Sequence, residues 1–179
     1  MFKPFYRHHG NVKFPTTEVE QVIKEMISQK DKLFKIDQAI SSFHFSEDIR
    51  PDKIWQPRYS AIIDEITKSL SIECTSKYSW EYWSQLYFPN NKHLAHHHWN
   101  GTATISFVHF IEPNDENSFR FLDNYGNEFV LPEQSEGDII FFPSYIWHRV
   151  KPLKSGRRIV VAGNIEITSL DNRYINLTL

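Results

Sequence analysis

Residues 93 to 167 form a succession of short segments rich in β-branched and aromatic residues, separated by turns containing Gly, Pro or Asn. ATISFVHFI is too short for a typical helix. FRFLD and NYGNEFVL read as two strands joined by a hairpin at Asn124–Asn127, with Gly126 in the turn. DIIFF stops at Pro143, WHRV stops at Pro152, and RRIVVAGNIEI is a long last strand. Segments of this length and composition predict strands. Six of them with tight turns predict a double-sheet barrel or sandwich, as in a jelly roll.

The preceding 92 residues have helical or mixed character. In TTEVEQVIKEMISQK, Val19, Val22, Ile23, Met26 and Ile27 recur at helical spacing. Thr16 or Thr17 is a candidate N-cap, with Glu20 placed to complete a capping box from Thr17. A second helix is expected over Arg58 to Leu70, with Ile62, Ile63, Ile66 and Leu70 on one side and Pro57 just before it. The link between them, FHFSEDIRPDKIW, reads as irregular. The fold class is therefore mainly β with N-terminal helices. A single domain over 1–179 is expected, with a mainly helical support over 1–78, a β core over 79–167 and a tail over 168–179.

A formal charge of -2 argues against a strongly basic nucleic-acid binder. No run approaches eighteen apolar residues, so no membrane helix is expected. The first residues, MFKPFYRHHG, lack the pattern of a secretory signal, which makes a cytoplasmic location the default. Cys74 is the only cysteine, so a metal site in this chain would be built from histidine and carboxylate.

Histidines are where such a site would lie. HHHWNG spans His96 to Gly101, and His148 follows the apolar run DIIFFPSYIW. If the first stretch is extended, His96 and His98 share one side and His97 points to the other. That is a way to present two imidazoles to one metal, and a jelly roll can bring His148 beside them. The alternatives are a solvated loop at His93, His96, His97 and His98, and a core histidine at 148 bonded to a backbone carbonyl. On the last strand Arg158, Val160, Ala162 and Asn164 share one face. If that face is interior, Arg158 needs an anionic partner. A small dicarboxylate would supply one through a bidentate contact. Arg157 reads as a surface charge.

Taken in order, HHHWN (His96 to Asn100), EGD (Glu136 to Asp138), FPS (Phe142 to Ser144), His148, Arg158 and Asn164 resemble the C-terminal half of the iron- and 2-oxoglutarate-dependent oxygenases. The likeness spans roughly residues 79 to 167 and is greatest to a branch of small phage and bacterial members. It implies a double-stranded β-helix of cupin-like type with Fe(II) at its mouth. His96, His98 and His148 would be the metal ligands, and Arg158 would pair with the C5 carboxylate of 2-oxoglutarate. Asn164 would lie near the iron or the oxoacid end. Tyr87, from YSWEYWSQLYF, would help line the cosubstrate pocket.

The sequence departs from the wider family at one ligand. The ordinary set is two histidines and a carboxylate, yet the first acidic residue after His98 is Glu112. His98 then occupies the carboxylate place. A competing register starts at His97 and puts Trp99 there, leaving two ligands.

The resemblance implies an oxygenase that uses 2-oxoglutarate and O2 to hydroxylate or demethylate a small molecule or a protein or peptide side chain, such as prolyl. A three-histidine zinc enzyme is one alternative. A non-catalytic β-sandwich binding or structural module is another, and it requires His98 and His148 to lie far apart or to bond one another. The oxygenase reading requires the three imidazoles to converge, with nitrogens about 3–3.5 Å apart given metal–nitrogen bonds of about 2.0–2.1 Å.

Overall fold

The computed structural model describes residues 7–29, 39–69, 78–98, 103–114, 117–129 and 132–167. In chain order its elements are β1 (Arg7–His9), α1 (Thr16–Ser28), β2 (Ile40–Ser41), two 3-10 turns (Ser42–His44 and Pro51–Trp55), α2 (Gln56–Ser69), β3 (Tyr78–Tyr87), β4 (His93–His96), β5 (Ile105–Glu112), β6 (Phe119–Leu122), β7 (Glu128–Phe129), β8 (Ile139–Pro143), β9 (Trp147–Val150) and β10 (Arg158–Ile167). A six-stranded sheet has the order β1-β8-β5-β10-β3-β2, and a four-stranded sheet has the order β4-β9-β6-β7. Every pairing is antiparallel. The expected tail over 168–179 and Leu70, Cys74, Trp99 and Asn100 lie outside the described residues. No helix among the described residues is long and apolar enough to cross a membrane.

Strand alternation sorts the large sheet into two faces. Phe107 and Ile111 of β5, Ile139 and Phe141 of β8, and Ile159 and Val161 of β10 pack with Val22, Ile23 and Met26 of α1 and Ile63 and Ile66 of α2. Val108 and Phe110, Ile140 and Phe142, and Val160 turn the other way and meet Phe119, Phe121 and Val150 of the small sheet. The central strands are buried on both faces, which explains their nearly unbroken apolar sequences.

The helices differ from expectation in detail. The N-cap of α1 is Pro15, with no side-chain cap, and both threonines fall inside the first turn. Proline's fixed φ sets the entry, and the Pro15 carbonyl accepts from the amides of Glu18 and Val19 at 2.9 and 3.1 Å. Glu20 is not used in a capping box but pairs with Arg157. Ile27 is 44% exposed, so the buried stripe ends at Met26. α2 starts at Gln56, fed by the 3-10 turn before it, with Pro57 in its first turn.

The expected strands are all present, and the 123–127 turn closes β6 onto β7 with Gly126 at φ +82. YSWEYWSQLY, not read as a strand from its sequence, is β3, paired along its whole length with β10. It escapes an apolar-pattern reading because Glu81 and Gln85 alternate with apolar residues on the face that lines a cavity.

Candidate metal centre and its cavity

β4 and β9 form one end of the small sheet, and their register sets His96 directly opposite His148. The ring centroids are 4.2 Å apart. HHHWNG is extended only at its start: β4 ends at His96, and His98 lies beyond it. Its position comes from the backbone, since the His98 N–H donates to the Ser144 carbonyl at 2.8 Å. The His98 ring then stands 5.1 Å from His96 and 5.3 Å from His148. One ligand atom from each of the three lies within 4.8 Å of the others. This is wider than the spacing expected around a bound metal.

Hydrogen bonds fix two of the tautomers. Nδ1 of His148 lies 2.9 Å from the Ile146 carbonyl, and Nδ1 of His96 lies 2.8 Å from the Leu94 carbonyl. A carbonyl only accepts, so each Nδ1 carries the proton and each Nε2 keeps its lone pair. This is the arrangement by which backbone carbonyls orient metal-ligating imidazoles. Burial, then the charges of His96 and His98, holds the His148 pKa well below its ordinary value. Burial, then His96 and His97, pushes His98 down to about 4, and burial also lowers His96. The three rings are therefore neutral donors at neutral pH.

His97 turns away and sets its ring edge-on against Trp147, with centroids 4.4 Å apart. His93 is a fourth imidazole on the cavity wall, stacked on His96 at 4.4 Å and 21°.

The centre opens into a cavity of about 440 Å³ between the sheets. Its floor is a ladder of paired residues on β3 and β10. Tyr87 faces Arg158, Gln85 faces Val160, Trp83 faces Ala162, and Glu81 faces Asn164. At the closed end Arg158 is 1% exposed, and among the described residues none of its three guanidinium nitrogens has a hydrogen-bond partner. The guanidinium lies between the rings of Tyr87 and Phe110, at 5.4 and 5.6 Å. Burial lowers its pKa to about 10, so it remains a cation at neutral pH. A buried, unpaired charge costs several kcal/mol, a cost that an anion at this end would offset.

Tyr87 is fully buried beside it and donates to Gln85 Oε1 at 2.5 Å. Asn164 lies at the far end of the ladder, where Ser106 Oγ donates to its Oδ1 at 2.9 Å and its Nδ2 donates to Glu81 Oε1 at 3.2 Å. Glu81, Trp83, Gln85 and Ser106 line the cavity without having been singled out in the sequence. The period-two spacing of Glu81, Trp83, Gln85 and Tyr87 was the available signal.

The donor set fits a divalent ion with open positions, and the orphaned guanidinium fits a small diacid in the same cavity. No family model matches the chain, and no curated protein matches it in sequence. Solved structures do match. A prolyl-4-hydroxylase of Pseudomonas putida superposes with a TM-score of 0.61 at 14% identity, covering 93% of this chain and 94% of that one. A viral collagen prolyl hydroxylase of Paramecium bursaria Chlorella virus-1, solved with 2OG, gives 0.59 at 16% identity over 92% and 96%. The non-heme α-ketoglutarate-dependent epimerase SnoN of nogalamycin biosynthesis gives 0.62 at 11% identity over 92% and 78%. The likeness at these identities is one of fold: two facing antiparallel sheets backed by N-terminal helices, a scaffold this chain shares with hydroxylases and an epimerase alike.

Proposed function

We propose that the chain is an Fe(II)- and 2-oxoglutarate-dependent oxygenase built on a double-stranded β-helix. The observation that carries this is the orphaned Arg158 guanidinium at the closed end of the cavity into which His96, His98 and His148 converge. The likeness of fold to 2-oxoglutarate enzymes agrees with it.

His96, His98 and His148 would hold the metal through neutral imidazole nitrogens. Bound together, Fe(II), 2-oxoglutarate and O2 would supply the oxidation of a C–H bond, with succinate and CO2 as co-products. Arg158 would receive the far carboxylate of the diacid, a partner that a guanidinium can bind in bidentate fashion. Tyr87 and Phe110 keep water from that pair and so strengthen it. The Leu94 and Ile146 carbonyls hold the imidazole planes. Hydroxylation of a small molecule or of a peptide side chain is the reaction class.

The metal-binding alternative is a zinc enzyme, favoured by a donor set of three histidines without a carboxylate; it gives Arg158 no task. The non-catalytic module asks for His98 and His148 to be far apart or mutually bonded. Their rings are 5.3 Å apart, and Nδ1 of His148 is committed to a backbone carbonyl.

The test is anaerobic titration of the metal-free protein with Fe(II) and then 2-oxoglutarate. A weak visible charge-transfer band is expected for the ternary complex, and it should be lost in Arg158→Leu. Absence of the band in the unsubstituted protein would overturn the proposal.

A further inference from the structure

Two charges of opposite sign stand at the two ends of one cavity. Among the described residues, Arg158 at the closed end has no hydrogen-bond partner for its guanidinium. Glu81 lines the open end, and among the described residues no cation pairs with it. Glu81 lies opposite Asn164, six residues along β10 from Arg158. At about 3.3 Å per residue that is about 20 Å. A five-carbon diacid has four C–C bonds of about 1.5 Å each, so it spans about 6 Å at most and leaves the open end for another ligand.

The open end is a built rung. Ser106 Oγ donates to Asn164, and Asn164 Nδ2 donates to Glu81 Oε1. Both bonds run toward the carboxylate, which is held in place with lone pairs to spare for a donor from a ligand. The next rung inward is Trp83. Phe43, 57% exposed on the turn after β2, also lines the cavity and sets its ring edge-on to Trp83 at 5.3 Å and 71°. A carboxylate on the same cavity wall as two aromatic rings suits a cationic nitrogen, through a charged hydrogen bond and cation–π attraction. Besides Arg158, Lys92 is the other Lys or Arg side chain lining the cavity among the described residues. It precedes β4, beside the small sheet, and forms no ion pair with Glu81.

We infer that the open end binds the second substrate through a positively charged nitrogen group, an ammonium or guanidinium, with Glu81 as the specificity-determining carboxylate and Trp83 and Phe43 as its apolar walls. This rests on the proposed function only for the occupant of the closed end.

The test uses the full metal-free chain at low salt, where charge contacts are least screened. Binding of n-butylammonium and methylguanidinium is followed by amide chemical shifts, with n-butanol as the neutral control. The cations should bind about tenfold more tightly than butanol, the scale of one charged hydrogen bond. Glu81→Gln, which keeps an acceptor for Asn164, should reduce them to the butanol level, and Glu81→Asp should retain the preference. Equal affinity for butylammonium and butanol, or a cation preference that survives in Glu81→Gln, would overturn the inference. Neither iron nor 2-oxoglutarate is present in this assay. Loss of the charge-transfer band with cation binding intact therefore counts against the oxygenase alone.

Discussion

Arg157 and Arg158 are neighbours in the chain with opposite surroundings. Arg157 pairs with Glu20 of α1 and, through its Nε at 2.8 Å, with Glu112 at the end of β5. Arg158 turns into the cavity, where among the described residues it meets the rings of Tyr87 and Phe110 and no hydrogen-bond acceptor. The first is a partly exposed tie between helix and sheet, of the modest kind; the second is a buried charge without a counter-ion among the described residues. Arg158→Leu is accordingly expected to leave the ligand-free protein as stable as before or more so. The rise in Tm that 2-oxoglutarate gives the metal-loaded protein should disappear. Thermal melts with and without the diacid check both halves.

The three imidazoles predict the metal response. His148→Ala removes a buried donor and should lower Fe(II) affinity by at least about 10–100-fold, the scale seen even for outer-shell changes. His98→Asp installs the ordinary two-histidine, one-carboxylate set and should keep the metal while reducing the charge of the centre by one. Metal analysis after dialysis against a chelator distinguishes the two variants.

His109 predicts acid sensitivity. Its Nε2 lies 2.7 Å from the Val12 carbonyl, so that nitrogen carries the proton and Nδ1 accepts from Tyr59 OH at 2.7 Å. Burial pushes its pKa down to about 4 from 6.5. Above pH 6.5 the ring is neutral in both states and contributes no pH dependence. Between about 6.5 and 4 the unfolded chain takes up a proton that the folded one refuses, so stability falls as pH drops, by up to about 1.4 kcal/mol per pH unit. His109→Phe should flatten that slope by one proton. It should also lower stability at pH 7 by about 1–3 kcal/mol, because Tyr59 OH and the Val12 carbonyl lose their partner. Denaturant unfolding across this pH range measures both effects.

Gly163 predicts a steric limit. A Cβ there would stand 2.4 Å from the Phe107 ring and 2.5 Å from the Glu81 carbonyl oxygen. Gly163→Ala should cost about 1–3 kcal/mol through overpacking, read as a Tm lower by several degrees.

Asp52 predicts a structural loss that reaches the cavity rim. It is fully buried and accepts from Ser42 Oγ at 2.6 Å, from the Ser84 amide at 2.8 Å and Ser84 Oγ at 2.9 Å, and from Arg50 Nε at 3.2 Å. Asp52→Asn sets an amide donor among donors and should destabilise by about 3 kcal/mol or more. Because Ser42 opens the turn that carries Phe43, the variant should also show faster amide exchange at 42–44.

Much of this architecture was legible in the sequence because short apolar runs with turn residues between them leave few options. DIIFF, WHRV and RRIVVAGNIEI announce strands, and the parity of Arg158, Val160, Ala162 and Asn164 places all four on the cavity floor. β3 was harder to read. Its cavity-facing positions mix Glu81 and Gln85 with Trp83 and Tyr87, and Ser84 falls on the opposite, buried face, so the apolar alternation that marks a half-buried strand is broken. His98 owes its place to a backbone bond to Ser144, forty-six positions away, which no local pattern encodes. The first helix was misjudged at its start because proline, rather than a hydroxyl side chain, governs the entry.

Between β4 and β9 the register shifts: His96 faces His148 while His93 faces Val150, three positions on one strand against two on the other. The extra residue is a β-bulge. In a regular strand His93 and His96 would project to opposite sides; here their rings stack at 4.4 Å on one wall. A strand of four residues thus delivers two imidazoles to the same side. Removing Leu94 or Ala95 would leave His93 two positions before His96, and a regular strand would still carry both imidazoles on one side. The bulge therefore lets an odd spacing do what an even one does in a regular strand, and the Leu94 carbonyl within it is free to accept from His96.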